Sequence, residues 1–149
     1  MFEHRLHISS LIFVSVFLFG TISLGAQTAC FNTPLAGTWI NKKAATKDLI
    51  KIRIEHQCTQ EETKDGLIVP GSRWYVKAWT KCYPANCVWG RVRAVIGPEG
   101  YLRSSMSTYA ADRFLKMKIE GTMINVQVIV NYHDPRRKDR DENVRLTRK

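Results

Sequence analysis

Asp112 to Tyr132 reads DRFLKMKIEGTMINVQVIVNY, two alternating runs around a glycine. In the first run Leu115, Met117 and Ile119 fall on one side, against Lys116 and Lys118 on the other. In the second, Ile124, Val126, Val128, Val130 and Tyr132 share a face. Alternation with period two marks a strand with one buried and one wetted face. Glu120-Gly121 makes a two-residue connection, and pairing around it sets Met117 opposite Ile124 and Leu115 opposite Val126, apolar faces matched.

The same period continues outward from this hairpin. LIKIRIEH places Ile50, Ile52 and Ile54 against Lys51, Arg53 and Glu55. RWYVKAWTK sets Trp74, Val76 and Ala78 against Tyr75, Lys77 and Trp79. VWGRVRAVIG opposes Val88, Val92, Ala94 and Ile96 to Arg91 and Arg93. YLRSSMSTY keeps Leu102 and Met106 in register, and DENVRLTRK does so for Val144 and Leu146. With GTWIN at the front this makes eight short strands and no helical segment. Gly97-Pro98-Glu99-Gly100 and Asp134-Pro135 mark turns, and the one long connection is Gln57 to Ser72. The pattern predicts an all-β chain folded as an eight-stranded antiparallel up-and-down meander barrel, which leaves no sheet edge exposed. A β-sandwich of two sheets is the alternative.

The N-terminus bears on compartment. Arg5 and His7 precede the uncharged apolar run LIFVSVFLFGTISL, Leu11 to Leu24, which ends in GAQTAC. The run is short for a bilayer, which takes roughly 20 residues, and small residues follow it. We read residues 1–26 as a signal peptide and 27–149 as a single β-barrel domain, secreted or periplasmic, with no transmembrane segment after cleavage. An uncleaved anchor is the competing reading. A lipidated Cys30 is disfavoured, because Gln27-Thr28-Ala29 lacks the leucine that usually stands three residues before such a cysteine.

Cleavage removes only Glu3 and Arg5 among the formal charges, so the net charge stays at +10. A basic surface favours anionic partners, or serves solubility alone. The four cysteines all follow the signal segment, and in an exported chain an even count reads as a disulfide framework. Cys82 and Cys87 bracket Tyr83-Pro84-Ala85-Asn86 at a hairpin mouth, within disulfide reach. Zinc would need further thiolates or imidazoles near them, and His56 and His133 stand alone, so no metal is expected. By elimination Cys30 pairs with Cys58. A turn near Ala44–Ala45 brings them together, although Trp39 then needs a bulge or a loose lead-in to share the face of Ile50.

LAGTWIN, a Gly-x-Trp element opening an eight-strand meander, resembles the first strand of the calycins, the lipocalin and avidin superfamily. GTWIN…IKIRI…VKAWTKC…CVWG is also similar to small exported bacterial proteins with a GTWxN start and a C-x4-C-x-W-G hairpin, a resemblance that implies no particular activity. The calycin resemblance implies that Trp39 packs across one barrel end against an arginine of the last strand, Arg145 or Arg148. The biotin-site residues of avidins have no match.

Two functions from different classes follow. One is a non-catalytic binding protein holding a small apolar ligand in the barrel, with Trp74, Trp79, Trp89, Tyr75 and Tyr109 as candidate lining. Cross-strand packing is the plainer role for these aromatics. The other is an interaction module whose basic loops contact an anionic surface or an acidic protein, through Arg136, Arg137 and Lys138. A solvated turn is the plainer reading there, because Asp134, Asp139, Asp141 and Glu142 interleave with the cations. Catalytic residues and cofactors are not expected: cysteines held in disulfides are no nucleophiles, and no Ser-His pairing stands out. Export and the lack of a binding motif argue against nucleic acid. A monomer is expected.

Overall fold

The computed structural model describes residues 33–45 and 47–149. The expected signal segment and Cys30 lie outside the described residues. Eight strands follow in chain order: β1 (Gly37–Ile40), β2 (Leu49–Glu62), β3 (Ile68–Thr80), β4 (Cys87–Ile96), β5 (Leu102–Ser107), β6 (Ala111–Glu120), β7 (Met123–Tyr132) and β8 (Arg140–Arg148). Each pairs antiparallel with the next, and β1 returns to β8 through Trp39↔Arg148 and Ile40↔Thr147, closing a barrel. The chain is all-β, and the sandwich is excluded by this closure.

Alternation decides what fills the barrel. Ile52, Ile54, Val76, Leu102, Leu115, Met117, Ile124, Val126, Val128 and Leu146 are at most 2% exposed. Branched and long side chains from both walls meet across the axis, so the middle of the barrel is packed rather than hollow. Outward positions carry Lys51, Arg53, Lys77, Arg91 and Lys116. An apolar interior and a charged exterior reverse the pattern of a lipid-embedded barrel. No helix among the described residues is long and apolar enough to cross a membrane.

One end is sealed by Trp39. Its ring is buried, its Nε1–H donates to the Leu35 carbonyl at 3.0 Å, and the Arg148 guanidinium lies 4.7 Å from the ring centre. Arg148 also donates to the Pro34 carbonyl. Gly37 makes room for this arrangement: its φ is +138°, and a Cβ there would meet Arg148 Nη1 at 3.0 Å. Of the two arginines expected opposite Trp39, Arg148 takes the place. Arg145 sits on the other face of β8, opposite Asn125.

Several expectations need correction. The turn between β6 and β7 is Gly121-Thr122, so Met117 pairs with Val126 and Leu115 with Val128, two residues along from the expected register and therefore with the same residues inward. A bulge at Leu49/Lys51 turns Leu49 inward and leaves Ile50 half-buried. Trp39 pairs with the buried Ile52 rather than with Ile50, in a β1–β2 register without a break. A second bulge at Ala78/Trp79, where Gly90 has φ +105°, skips Trp89 and re-aims the start of β4. Val88, expected inside, is therefore 53% exposed, and Ile96 is exposed at the strand's far end. Gln57 to Ser72 is no loop. β2 and β3 stay paired to Glu62↔Ile68, forming an arm with Thr63–Leu67 at its tip.

Candidate functional site

The end opposite Trp39 is built from four connections: residues 41–48, 81–86, 108–110 and 133–139. Cys82 and Cys87 are joined by a disulfide across the second of these, with Cα atoms 5.6 Å apart. Cys58 is also disulfide-bonded, and its expected pairing with Cys30 falls outside the described residues.

At this end the inward positions change character. The inward register of Leu115 and Met117 runs back to Arg113, and that of Leu146 and Val144 runs back to Glu142 and Arg140. Thr80, Trp89, Val130 and Tyr132 complete the wall of an open cavity of about 290 Å³. A shallower basin of about 420 Å³ adjoins it, bordered by Lys47, Arg137 and Lys138. Five cations thus converge on one barrel mouth.

They are not equally available. Arg140 donates to Glu142 at 2.7 Å, to Asp48 at 3.3 Å and to the Lys47 carbonyl at 3.3 Å. Burial works against its charge, but the bonds to Glu142, Tyr132 and Asp48 outweigh that and raise its pKa. Arg140 is a structural clamp. The Arg137 guanidinium carbon lies over the Tyr132 ring, 3.8 Å from its centre. Arg113 donates through Nη1 to Thr108 Oγ1 at 3.1 Å and to the Ala111 carbonyl at 3.4 Å, and its guanidinium is 5.1 Å from the Trp89 ring. No carboxylate forms an ion pair with it within 4.0 Å among the described residues. Burial holds its pKa below the ordinary value, Tyr132 and Asp112 draw it up, and Arg137 depresses it further. An arginine stays charged regardless. The mouth therefore presents a partly desolvated guanidinium without an ion-pair partner, near an indole ring.

A titratable pair, His133 and Asp112, sits on the rim. His133 has Nδ1 2.9 Å from the Tyr109 carbonyl and Nε2 3.2 Å from Asp112 Oδ2. Both neighbours are acceptors, so this geometry suits the doubly protonated imidazolium, and His133 has a raised pKa for these two reasons in that order. Asp112 is held below the ordinary carboxylate value by hydrogen bonds to Ser107 and then His133. Ser107 bonds the aspartate rather than the imidazole, which is not the serine–histidine relay of a hydrolase. No group of histidine, cysteine and acidic side chains suited to a metal occurs among the described residues.

The residues singled out from sequence separate here. Trp89 lines the mouth, and Tyr109 is exposed on its rim loop. Trp74 is buried and stacks on His56 at 4.4 Å. Trp79 lies outside the barrel beneath Lys51, and Tyr75 outside beneath Arg91. Within the basic tip, Arg137 and Lys138 border the mouth, whereas Arg136 points to solvent and is chelated by both oxygens of Asp134. Arg113, Arg140 and Glu142 were not singled out. Carrying the apolar register two or four residues further would have found them. Comparison with protein-family models, with curated proteins and with solved structures finds no match for this chain.

Proposed function

We propose that the protein is an exported, non-catalytic binding protein of the calycin type that takes a small anion with a flat apolar body at its open barrel end. The single observation that carries this is Arg113, an inward guanidinium with no carboxylate partner, set beside Trp89 and Tyr132 in a cavity of about 290 Å³. A charge without an ion-pair partner and partly desolvated costs stability, a cost that the counter-charge of a ligand would offset. A guanidinium matches a carboxylate or phosphate through paired N–H donors, and the aromatic walls match a planar body. Because the middle of the barrel is packed, this reading puts the ligand at the mouth rather than within the barrel. Two features support export: the apolar N-terminal run, and the disulfide at Cys82–Cys87, a bond that persists in oxidising compartments.

Native mass spectrometry of protein purified from its own host should find a retained small anion. Titration with phenyl phosphate should quench tryptophan fluorescence saturably. Arg113→Met should weaken that binding about 10-fold or more, the usual worth of a charged hydrogen bond. Absence of both retained mass and saturable quenching in the wild type sinks the reading.

A further inference from the structure

The side of the barrel carries a second concave surface, separate from the mouth. β4 and β5 pair through only three positions, from Ala94↔Ser104 to Ile96↔Leu102, and over this seam and its neighbours a groove of about 350 Å³ opens to solvent. Its floor is Val95, Phe114 and Ile129, and its rim is Arg93, Arg103 and Lys116. These side chains face outward because they alternate with the buried Ala94, Ser104, Leu115 and Val128. Val95 is 58% exposed and Phe114 42%. Glu99 pairs with Arg103 at 3.0 Å and Lys116 at 3.5 Å, whereas Arg93 has no such partner among the described residues. Tyr101 lies under the ammonium groups of Lys116 and Lys118, at 4.2 and 4.9 Å. Single exposed apolar residues are ordinary, but an apolar floor inside a cationic rim marks a contact surface.

We propose that this wall docks the protein on an anionic lipid bilayer. The long, flexible side chains of Arg93, Arg103 and Lys116 splay aside to reach headgroup phosphates, which uncovers Phe114, Val95 and Ile129 to the acyl-chain boundary. Charge complementarity selects this occupant. A second copy of the chain brings the same +10 charge and is repelled, whereas anionic headgroups attract lysines and arginines near the surface. Charge recruits and apolar burial retains, which gives a recognisable salt response. The Debye length shrinks from ~10 Å at 0.1 M salt to ~3 Å at 1 M, weakening recruitment but leaving inserted side chains unscreened.

Flotation of the full chain with vesicles of phosphatidylglycerol and phosphatidylcholine, against pure phosphatidylcholine, tests this. Wild type should float with the anionic vesicles only. Phe114→Ser should lose about 10-fold in affinity with an unchanged melting temperature, because the ring lies outside the core. Val95→Ser, an independent probe of the same floor, and the pair Arg93→Ser with Lys116→Ser should weaken binding in the same direction. Replacing Arg136, Arg137 and Lys138 together with serine should leave it intact. The proposal is overturned if wild type ignores anionic vesicles, if Phe114→Ser binds as wild type does, or if only the tip variant loses binding. A concentration-dependent dimer broken by Phe114→Ser, without vesicle binding, would assign the groove to a second copy instead.

Discussion

The indole of Trp39 serves the fold with both its ring and its N–H. Its face takes the Arg148 guanidinium, its edge donates to Leu35, and its body plugs the barrel beside Ile52. Trp39→Ala should cost about 3–5 kcal/mol in chemical denaturation, the usual range for a buried tryptophan. An unchanged denaturation midpoint would show that Leu35 and Arg148 seal the end by themselves. The glycine two residues earlier was legible as part of a Gly-x-Trp element, while its reason, the approach of Arg148, belongs to a strand more than a hundred residues away. Arg113 shows the opposite limit. Its parity was readable, but an inward arginine contradicts the rule that inward residues are apolar, and such contradictions concentrate at functional sites.

Elements with uninterrupted alternation were read correctly, and those with a bulge were not. β6 and β7 keep strict period two, so their faces were plain and only the turn was misplaced by one residue. In β4 one extra residue opposite Ala78–Trp79 reverses the face of Val88, and no local pattern announces it. The arm of β2 and β3 was mistaken for a loop because none of residues 57–73 is buried, so no apolar alternation exists to be seen. Pro70 and Gly71 look like strand breakers, yet a proline is tolerated where its missing N–H faces no partner. At the open end the His133 imidazole bridges Tyr109 in the 108–110 turn and Asp112 at the start of β6, which gives this end a pH dependence. The raised pKa of His133 means that its contribution is complete below the ordinary histidine value of about 6.5 and is lost as pH rises through the folded value. The lowered pKa of Asp112 sets the other limit: its contribution is lost as pH falls through the folded carboxylate value. The tie should therefore be strongest in mildly acidic solution. An NMR titration should place the His133 midpoint above that of a free histidine, and Asp112→Asn should bring it back down. A midpoint at or below the free value would mean that the imidazole does not bridge Tyr109 and Asp112 in solution.

Across the whole molecule the barrel is polar along its axis: one end closed by an indole and an aliphatic core, the other ringed by charge. Stability and binding then make opposing demands on Arg113. Without a ligand its charge is partly desolvated and lacks a carboxylate, so a long apolar side chain should suit the site better. With an anion bound, the same guanidinium should become stabilising. A ligand that binds only the folded state adds about 2.7 kcal/mol at 100 times its dissociation constant. Wild type should therefore show a rise in melting temperature with phenyl phosphate, measured against chloride at equal ionic strength to remove general screening. Arg113→Met should melt at or above the wild-type temperature without ligand, and should respond weakly or not at all to phenyl phosphate. Residues kept at a cost to the empty fold are the ones that activity requires, and this pair of measurements separates that case from a purely structural arginine. If Arg113→Met instead melts well below wild type, the guanidinium is holding Thr108 and Ala111 in place, and the mouth is a reinforced barrel end rather than a binding site.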